Sequence, residues 1–486
     1  MVNALLIIMM IVIPVIFLFS SFMFVVFFSS PVDRFQAILP KIIVILGMTF
    51  AGCAVLFLPF DVWNNIQAGG LTSATPVIWQ IIFAFMAAWI VLVLPFSLIY
   101  FETFDSEKDH VKNVVSQSIS AIVGTIIIFI ITGLGMGISY IFFGYVQIPM
   151  TTQVSSYGAA SLSSVVLNCD TCYLESSDLT TRMGIIVYIT AFLCAVGWFV
   201  LVVCGGCGMS SIPITLILGC VNRPKRIKLE EFVVQQKKFA LRSHNLIKAG
   251  KKIEALRKQP GGRTNMQTIR LYQEFKRAVY TADEEYQLLK TQFEKGGGSI
   301  VFYVIGLIFG VVAAVITILW IIHMILFMFT KQPIWGGLNL LFYYLDYAFP
   351  LFGLIAYSIF AFYLLMSVIA GNITIASRLP LVSLYPIKFK DTLTSSFLYN
   401  TWLLMLGCIP VIQFTANAFS SYGSVTSLSG FFNVYVTNMI YFNWFFANVH
   451  YVFFAFIFIG FALSMFFAFR PNKTKEQKII EQIMES

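Results

Sequence analysis

Nine stretches of this chain stay apolar for about twenty residues or more, and this restricts the fold more than any motif does. They fall at approximately 3–29, 41–60, 77–101, 118–146, 183–207, 299–329, 350–370, 393–418 and 443–469. About 20 consecutive apolar residues cross the roughly 30 Å hydrocarbon core of a bilayer as an α-helix. Inside hydrocarbon every backbone N–H and C=O needs an internal partner, so a span is either a helix or a strand of a closed barrel. The period-two alternation of a barrel strand is absent, which leaves helices. Composition agrees. Hydrophobic residues make up 59% of the chain and charged residues only 11%, too few to coat a soluble surface that usually carries about 25%. The 50 Phe suit a surface facing lipid. The expectation is an all-α polytopic transmembrane bundle of about nine helices.

Charge gives the spans a direction. The first stretch starts with Met1-Val2-Asn3, which carries no basic side chain, and about 27 apolar residues follow. A secretory signal has a basic start and a core of 7–15 residues, so this stretch reads as a retained helix with its N-terminus outside the cytosol. Alternation then places 29 of the 31 Lys and Arg on the cytosolic side, leaving Arg182 and Lys331 on the other. Long loops obey the positive-inside rule weakly, yet without residues 221–298 the split is still 11 to 2. Both sequons, at Asn372 and Asn472, fall on the cytosolic side, where they are not glycosylated. The net charge of +9 is accounted for by the anionic inner leaflet and implies no nucleic-acid partner. The organisation expected is five helices over 1–220, a basic cytosolic hairpin over 221–298, four helices over 299–470 and a cytosolic tail, 471–486.

Two segments fit no simple span. Residues 183–219 are apolar for longer than one crossing requires, and Gly205-Gly206-Cys207-Gly208 with Pro213 reads as a break followed by an interfacial or re-entrant piece, Ile214–Gly219. Leu338–Ala348, which ends near Pro350, is expected along the outer face. In the 221–298 loop, Gln259-Pro260-Gly261-Gly262 separates two helical arms, because Pro and paired Gly terminate helices. Phe232, Phe239, Leu246 and Ile253 recur every seven residues in the first arm; Tyr272, Val279, Tyr286 and Phe293 do so in the second, with Phe275, Ala282 and Leu289 at the companion position. This coiled-coil-like spacing predicts an antiparallel helical hairpin. Its 18 basic and 8 acidic residues leave two readings open: a solvated basic face, or a docking site for a protein partner or anionic lipid.

Residues that carry chemistry are few. His110, His244, His323 and His450 have no spacing that pairs two of them as metal ligands on one helix face. Phosphate-cradling loops, dinucleotide fingerprints and nucleophile elbows are absent, so no catalytic residue, metal or cofactor is expected. Gly133-Leu134-Gly135-Met136-Gly137, and the Gly306/Gly310 pair, read as helix-packing positions and leave a homo-oligomer open. Cys169 and Cys172 lie in the predicted outside loop 147–182. A disulfide and free thiols are both open there, and two ligands are too few for zinc. Three carboxylates lie near the bilayer, where ionisable groups are functional candidates by default. Asp61 and Glu102 end the second and third helices, where interfacial water makes a carboxylate cheap, and they read as structural. Asp346, with Tyr343 and Tyr347, precedes the Pro350 break and reads as a polar ligand-binding corner.

Five short stretches in order carry a resemblance. They are Leu39-Pro40-Lys41-Ile42-Ile43-Val44, Leu58-Pro59-Phe60-Asp61-Val62, Leu94-Pro95-Phe96 with Tyr100-Phe101-Glu102, Gly208-Met209-Ser210-Ser211-Ile212-Pro213, and Tyr385-Pro386-Ile387-Lys388 continuing through Ser395–Asn400. With this spacing the chain resembles the limb-region-1-like membrane protein family, which includes lipocalin-interacting membrane receptors and lysosomal cobalamin transport proteins. The eighth and ninth helices are more similar to the plant-type and receptor-like branch. The resemblance implies nine helices, a large central cytosolic loop, and ligand reception, uptake or trafficking at a plasma or endolysosomal membrane without a chemical reaction. The alternative it carries is a small-solute, cobalamin-like transporter or its accessory protein.

Overall fold

A computed structural model describes residues 2–30, 38–66, 74–103, 110–155, 172–223, 227–258, 266–294, 300–330, 335–349, 351–378, 387, 392–423 and 426–469. Nine of the described helices are long and apolar enough to span a bilayer. They are α1 (Val2–Phe28), α2 (Ile38–Ile66), α3 (Thr75–Glu102), α4 (His110–Phe143), α5 (Ile185–Val221), α8 (Ile300–Met328), α10 (Phe352–Arg378), α11 (Thr394–Ala418) and α13 (Asn443–Phe469). The shorter elements are the ribbon strands β1 (Tyr145–Ser155) and β2 (Cys172–Arg182), the hairpin helices α6 (Leu229–Lys258) and α7 (Met266–Glu294), α9 (Leu338–Ala348), and α12 (Ser427–Gly430). The chain divides into two compact units. One is drawn from Met1–Met209, Ile316–Arg378 and Ser383–Gly460, and the other centres on Ser210–Val315.

The first unit is organised around α11, which packs on α2, α5 and α10. Of its most apolar 18 residues 78% are buried, against 11% in α1 and in α4. The sequence explains the difference. Helix α11 carries Thr394, Ser395, Ser396, Asn400, Thr401, Gln413 and Thr415, and polar side chains inside a membrane survive only where protein supplies partners. Gln413 Oε1 accepts from Trp198 Nε1 at 2.7 Å and from Cys194 Sγ at 2.9 Å. Asn400 pairs with Asn372, which is buried in α10, so the sequon there is occupied by packing. Helices α1 and α4 instead present Phe, Ile and Val outward, as lipid-facing helices do.

The expected break in residues 183–219 does not occur. Helix α5 continues through Gly205–Pro213 to Val221, with one π turn at Leu201–Gly205. The glycines there serve close approach. A Cβ on Gly208 would overlap Ser367 O, and one on Gly371 would overlap Cys204 O, so the backbones of α5 and α10 touch. Gly206 meets the Phe456 backbone 3.1 Å from its Cβ position, and Gly460 faces Cys207, which brings α13 into the same node. Small residues allow such contact between membrane helices.

The Gly133–Gly137 motif corrects the sequence reading in the opposite sense. Nothing lies within 4 Å of a Cβ placed on Gly133, Gly135 or Gly137, so no helix of the described chain packs there. Gly310 does meet Leu216 and Ile217, each 3.0 Å away, whereas Gly306 meets nothing.

The second unit contains the antiparallel hairpin α6–α7. Phe232 stacks on Phe293 at 4.2 Å, Phe239 on Tyr286 at 5.0 Å, and Arg242 pairs with Glu285 at 2.6 Å. Further along, Leu246 packs on Ala278 and Ala282, and Ile253 on Leu271 and Phe275. Val279 and Tyr272, expected at the seam, are exposed. The companion positions carry the seam instead: Ala282 and Leu289 are buried, and Phe275 packs against the clusters of Leu246 and Ile253.

The ribbon was not anticipated. Strands β1 and β2 pair antiparallel from Tyr145↔Arg182 to Ser155↔Cys172. Its base is tied to the bundle by Gln147 N–H to Asn438 O and Ile440 N–H to Tyr145 O, at 3.0 and 3.1 Å. The Arg182 guanidinium lies 4.5 Å from the centre of the Tyr140 ring, while Tyr140 Oη donates to Met183 O at 2.7 Å.

Candidate functional site at the ribbon end

The end of the first unit that carries the ribbon also gathers the C-terminus of α11, the N-terminus of α3 and all of α9. Thr75 at the start of α3 bonds Ser427 of α12 at 3.0 Å, and the N–H of Gly423 caps Phe419 O at 2.9 Å. The turn after α11 is held by three side chains. His323 Nε2 bonds Ala418 O at 2.8 Å, and Nδ1 accepts from Leu338 N–H at 3.2 Å. An imidazole that accepts at one nitrogen is neutral and donates from the other, so His323 carries its proton on Nε2. Asn339 donates to the same Ala418 O at 3.2 Å and accepts from Tyr422 N–H at 3.0 Å. Gly337 has φ +58°, and a Cβ there would collide with the imidazole, so only glycine fits.

Asp346 completes the latch. Its Oδ1 accepts from Gly353 N–H at 2.8 Å, closing α9 onto the first turn of α10, and its Oδ2 accepts from the Tyr422 hydroxyl. Burial, and then the bond to Asp346, push the Tyr422 hydroxyl well above the usual phenol range, which keeps it a donor. Tyr422 lies against Tyr357, with ring centroids 5.9 Å apart. Tyr343 and Tyr347 are 64% and 86% exposed. The aromatic partner of Asp346 is therefore Tyr422, 76 residues away in sequence, and the three tyrosines of α9, Tyr343, Tyr344 and Tyr347, are exposed.

Asp61 corrects the expectation of interfacial solvation. Helix α2 continues to Ile66, and Asp61 is 0% exposed, accepting from Trp79 Nε1 at 3.0 Å. A buried carboxylate needs hydrogen bonds in place of water, and the indole of α3 supplies one. Glu102 is exposed at the C-terminus of α3, a whole membrane span away from Asp61. Cys169, and with it the Cys169–Cys172 pairing, lies outside the described residues. Among the described residues no group of three or more His, Cys, Asp or Glu could hold a metal ion.

Comparison with known sequences places this nine-span chain in a family. The profile of the LMBR1-like membrane proteins matches residues 5–296. The chain belongs to that family. It is 30% identical to a LIMR family protein of Dictyostelium discoideum, over 99% of this chain and all of that one. It is 27% identical to a LIMR family protein of Oryza sativa subsp. japonica and 26% identical to one of Arabidopsis thaliana, each over 88% of this chain and 89% of the relative. No solved structure matches the chain.

The latch of this family member makes a stability prediction. Tyr422→Phe removes the donor to a carboxylate and is expected to cost about 1.5–3 kcal/mol. Asp346→Asn is expected to cost less, because Oδ1 still accepts from Gly353 N–H and the amide can donate to the Tyr422 oxygen. Thermal melts of the purified variants check the order, and an Asp346→Asn protein less stable than Tyr422→Phe contradicts it.

Proposed function

We propose that this LMBR1-like protein is a non-enzymatic receptor or trafficking protein that engages a protein ligand at its ribbon end, on the non-cytosolic side of a plasma or endolysosomal membrane. The ribbon is the observation that carries this reading. Two eleven-residue strands are bonded to the bundle at their base, and among the described residues β2 is paired along one edge only. An unpaired edge offers a row of backbone donors and acceptors to an extended segment of a ligand. Exposed Tyr343, Tyr344 and Tyr347 on α9 add aromatic surface at the same end, and the Lys and Arg asymmetry of the loops supports an outside position for that end. The basic hairpin would then face the cytosol, where a protein partner or anionic lipid could meet it.

The test is to replace residues 150–177 with an Asn-Gly turn, which favours a tight hairpin and leaves the base of the ribbon in place. Surface expression is expected to hold, while cross-linking of soluble proteins from the non-cytosolic side is lost. Undiminished capture contradicts the reading. A second reading, transport of a small polar solute, is favoured by the fully buried Asp61. It predicts that Asp61→Asn abolishes solute uptake into vesicles while the ribbon deletion leaves uptake unchanged.

A further inference from the structure

A cavity of about 420 Å³ lies among α1, α2, α3 and α10, within the spans of the first unit. Its origin is legible in the chain. Pro14 of α1 and Pro59 of α2 are both in helix interiors and both line it. An interior proline loses a backbone hydrogen bond and presses on the preceding turn, which bends the helix. The two prolines face one space, which Phe17, Phe57 and Phe362 border without filling.

The lining specifies the occupant's chemistry. Its side chains are hydrocarbon except for Cys53 and Ser358, and the Ser358 hydroxyl already donates to Leu354 O at 2.7 Å. Beyond the weak S–H donor of Cys53, a polar headgroup or a sterol hydroxyl would find no donor in this lining. An apolar cavity of roughly 150 Å³ lined by Leu, Ile and Phe holds benzene, and this one is nearly three times larger. Along α2 the lining runs from Phe50 to Phe60, a rise of about 15 Å, which is half of a roughly 30 Å hydrocarbon core and so the depth of one leaflet. Ile355 and Ile359, at its edge on α10, are 43% and 50% exposed, so the cavity opens toward surrounding lipid.

We infer that this cavity binds a single acyl chain of a bilayer phospholipid, drawn in between α1 and α10. The phospholipid leaves its headgroup at the membrane surface. The inference rests on the cavity alone and is independent of the ribbon's role.

The experiment reconstitutes the full chain in nanodiscs with phosphatidylcholine carrying a diazirine in one acyl chain, and in a parallel sample with a photoactivatable sterol. Peptide mass spectrometry then maps the cross-links. The phospholipid probe is expected to label residues 50–60 and 354–362 more strongly than the lipid-facing residues 126–131 of α4. Ser358→Phe fills the cavity and Ile359→Trp narrows its mouth, and each is expected to cut the first labelling about tenfold while leaving α4 labelling unchanged. Ile359 is exposed, so its variant reports even if the filling variant fails to fold. Labelling equal to that of α4 and indifferent to Ile359→Trp overturns the proposal, as does labelling by the sterol in place of the phospholipid.

Discussion

Gly208→Val is expected to abolish assembly of the bundle, while Gly133→Val leaves it intact. Both glycines lie in membrane helices of similar composition, and only their surroundings differ. At Gly208 a Cβ overlaps the carbonyl oxygen of Ser367 and comes within 2.9 Å of Gly371 N, while at Gly133 nothing lies within 4 Å. Overpacking a core by a methyl or two typically costs 1–3 kcal/mol because side chains shift to relieve it. Here the obstacle is helix backbone, which moves only if α10 moves as a body. Helix α10 also holds the latch through Gly353 and contacts α11, so the cost exceeds that range and approaches the 5–15 kcal/mol that holds a typical fold together. Fluorescence-detected size exclusion of detergent-extracted protein separates the cases. A monodisperse Gly208→Val protein as stable as the parent refutes the close crossing.

His323→Leu is the second large effect. It orphans the Leu338 N–H and removes the Nε2–H donor from Ala418 O, leaving that oxygen only Asn339. The orphaned Leu338 N–H costs about 1–3 kcal/mol and the single bond lost at Ala418 O about 1 kcal/mol, so together they come to about 3 kcal/mol. Packing does not offset this. The imidazole is stacked on Phe327 at 5.1 Å and tilted against Phe419 at 5.3 Å, contacts a leucine keeps only in part. His323→Gln carries both a donor and an acceptor and is expected to recover part of the loss. Melting of the purified variants decides the matter, and equal stability of the Leu and Gln variants contradicts the assigned bonds.

The nine spans were legible because each rests on some twenty apolar residues, a signal that no local irregularity erases. The end of α5 was not. Gly205, Gly206 and Gly208 punctuate a soluble sequence as breakers, but in a membrane helix the same residues mark where another backbone approaches, and one chain's sequence does not say which helix that is. The ribbon was hidden by composition. Val146, Thr151, Thr152, Val154, Thr180 and Thr181 suit strands, yet Pro149 and the Ser-rich surroundings read as loop. The hairpin seam was visible in Phe232, Phe239, Tyr286 and Phe293 and in the companion positions Phe275, Ala282 and Leu289, while Val279 and Tyr272 on the same repeat lie exposed. In the candidate site, Asp346 was singled out by its place before Pro350, but its partner Tyr422 belongs to another helix end, and no local pattern links them. Asp61 was misjudged because hydropathy placed the end of α2 near residue 60, short of the turn that buries it.

The proposal as a whole turns on which side of the membrane the ribbon occupies, and glycosylation mapping measures that directly. Ser161→Asn completes an Asn-x-Ser sequon with Leu162 and Ser163 between the ribbon strands, and Gln267→Thr completes one with Asn265 and Met266 between the hairpin arms. Expressed in a eukaryotic cell, the Ser161→Asn protein is expected to show a glycosidase-sensitive shift on a gel, and the Gln267→Thr protein none. A shift in the hairpin variant with none in the ribbon variant would place the ribbon in the cytosol and contradict a receptor facing outward.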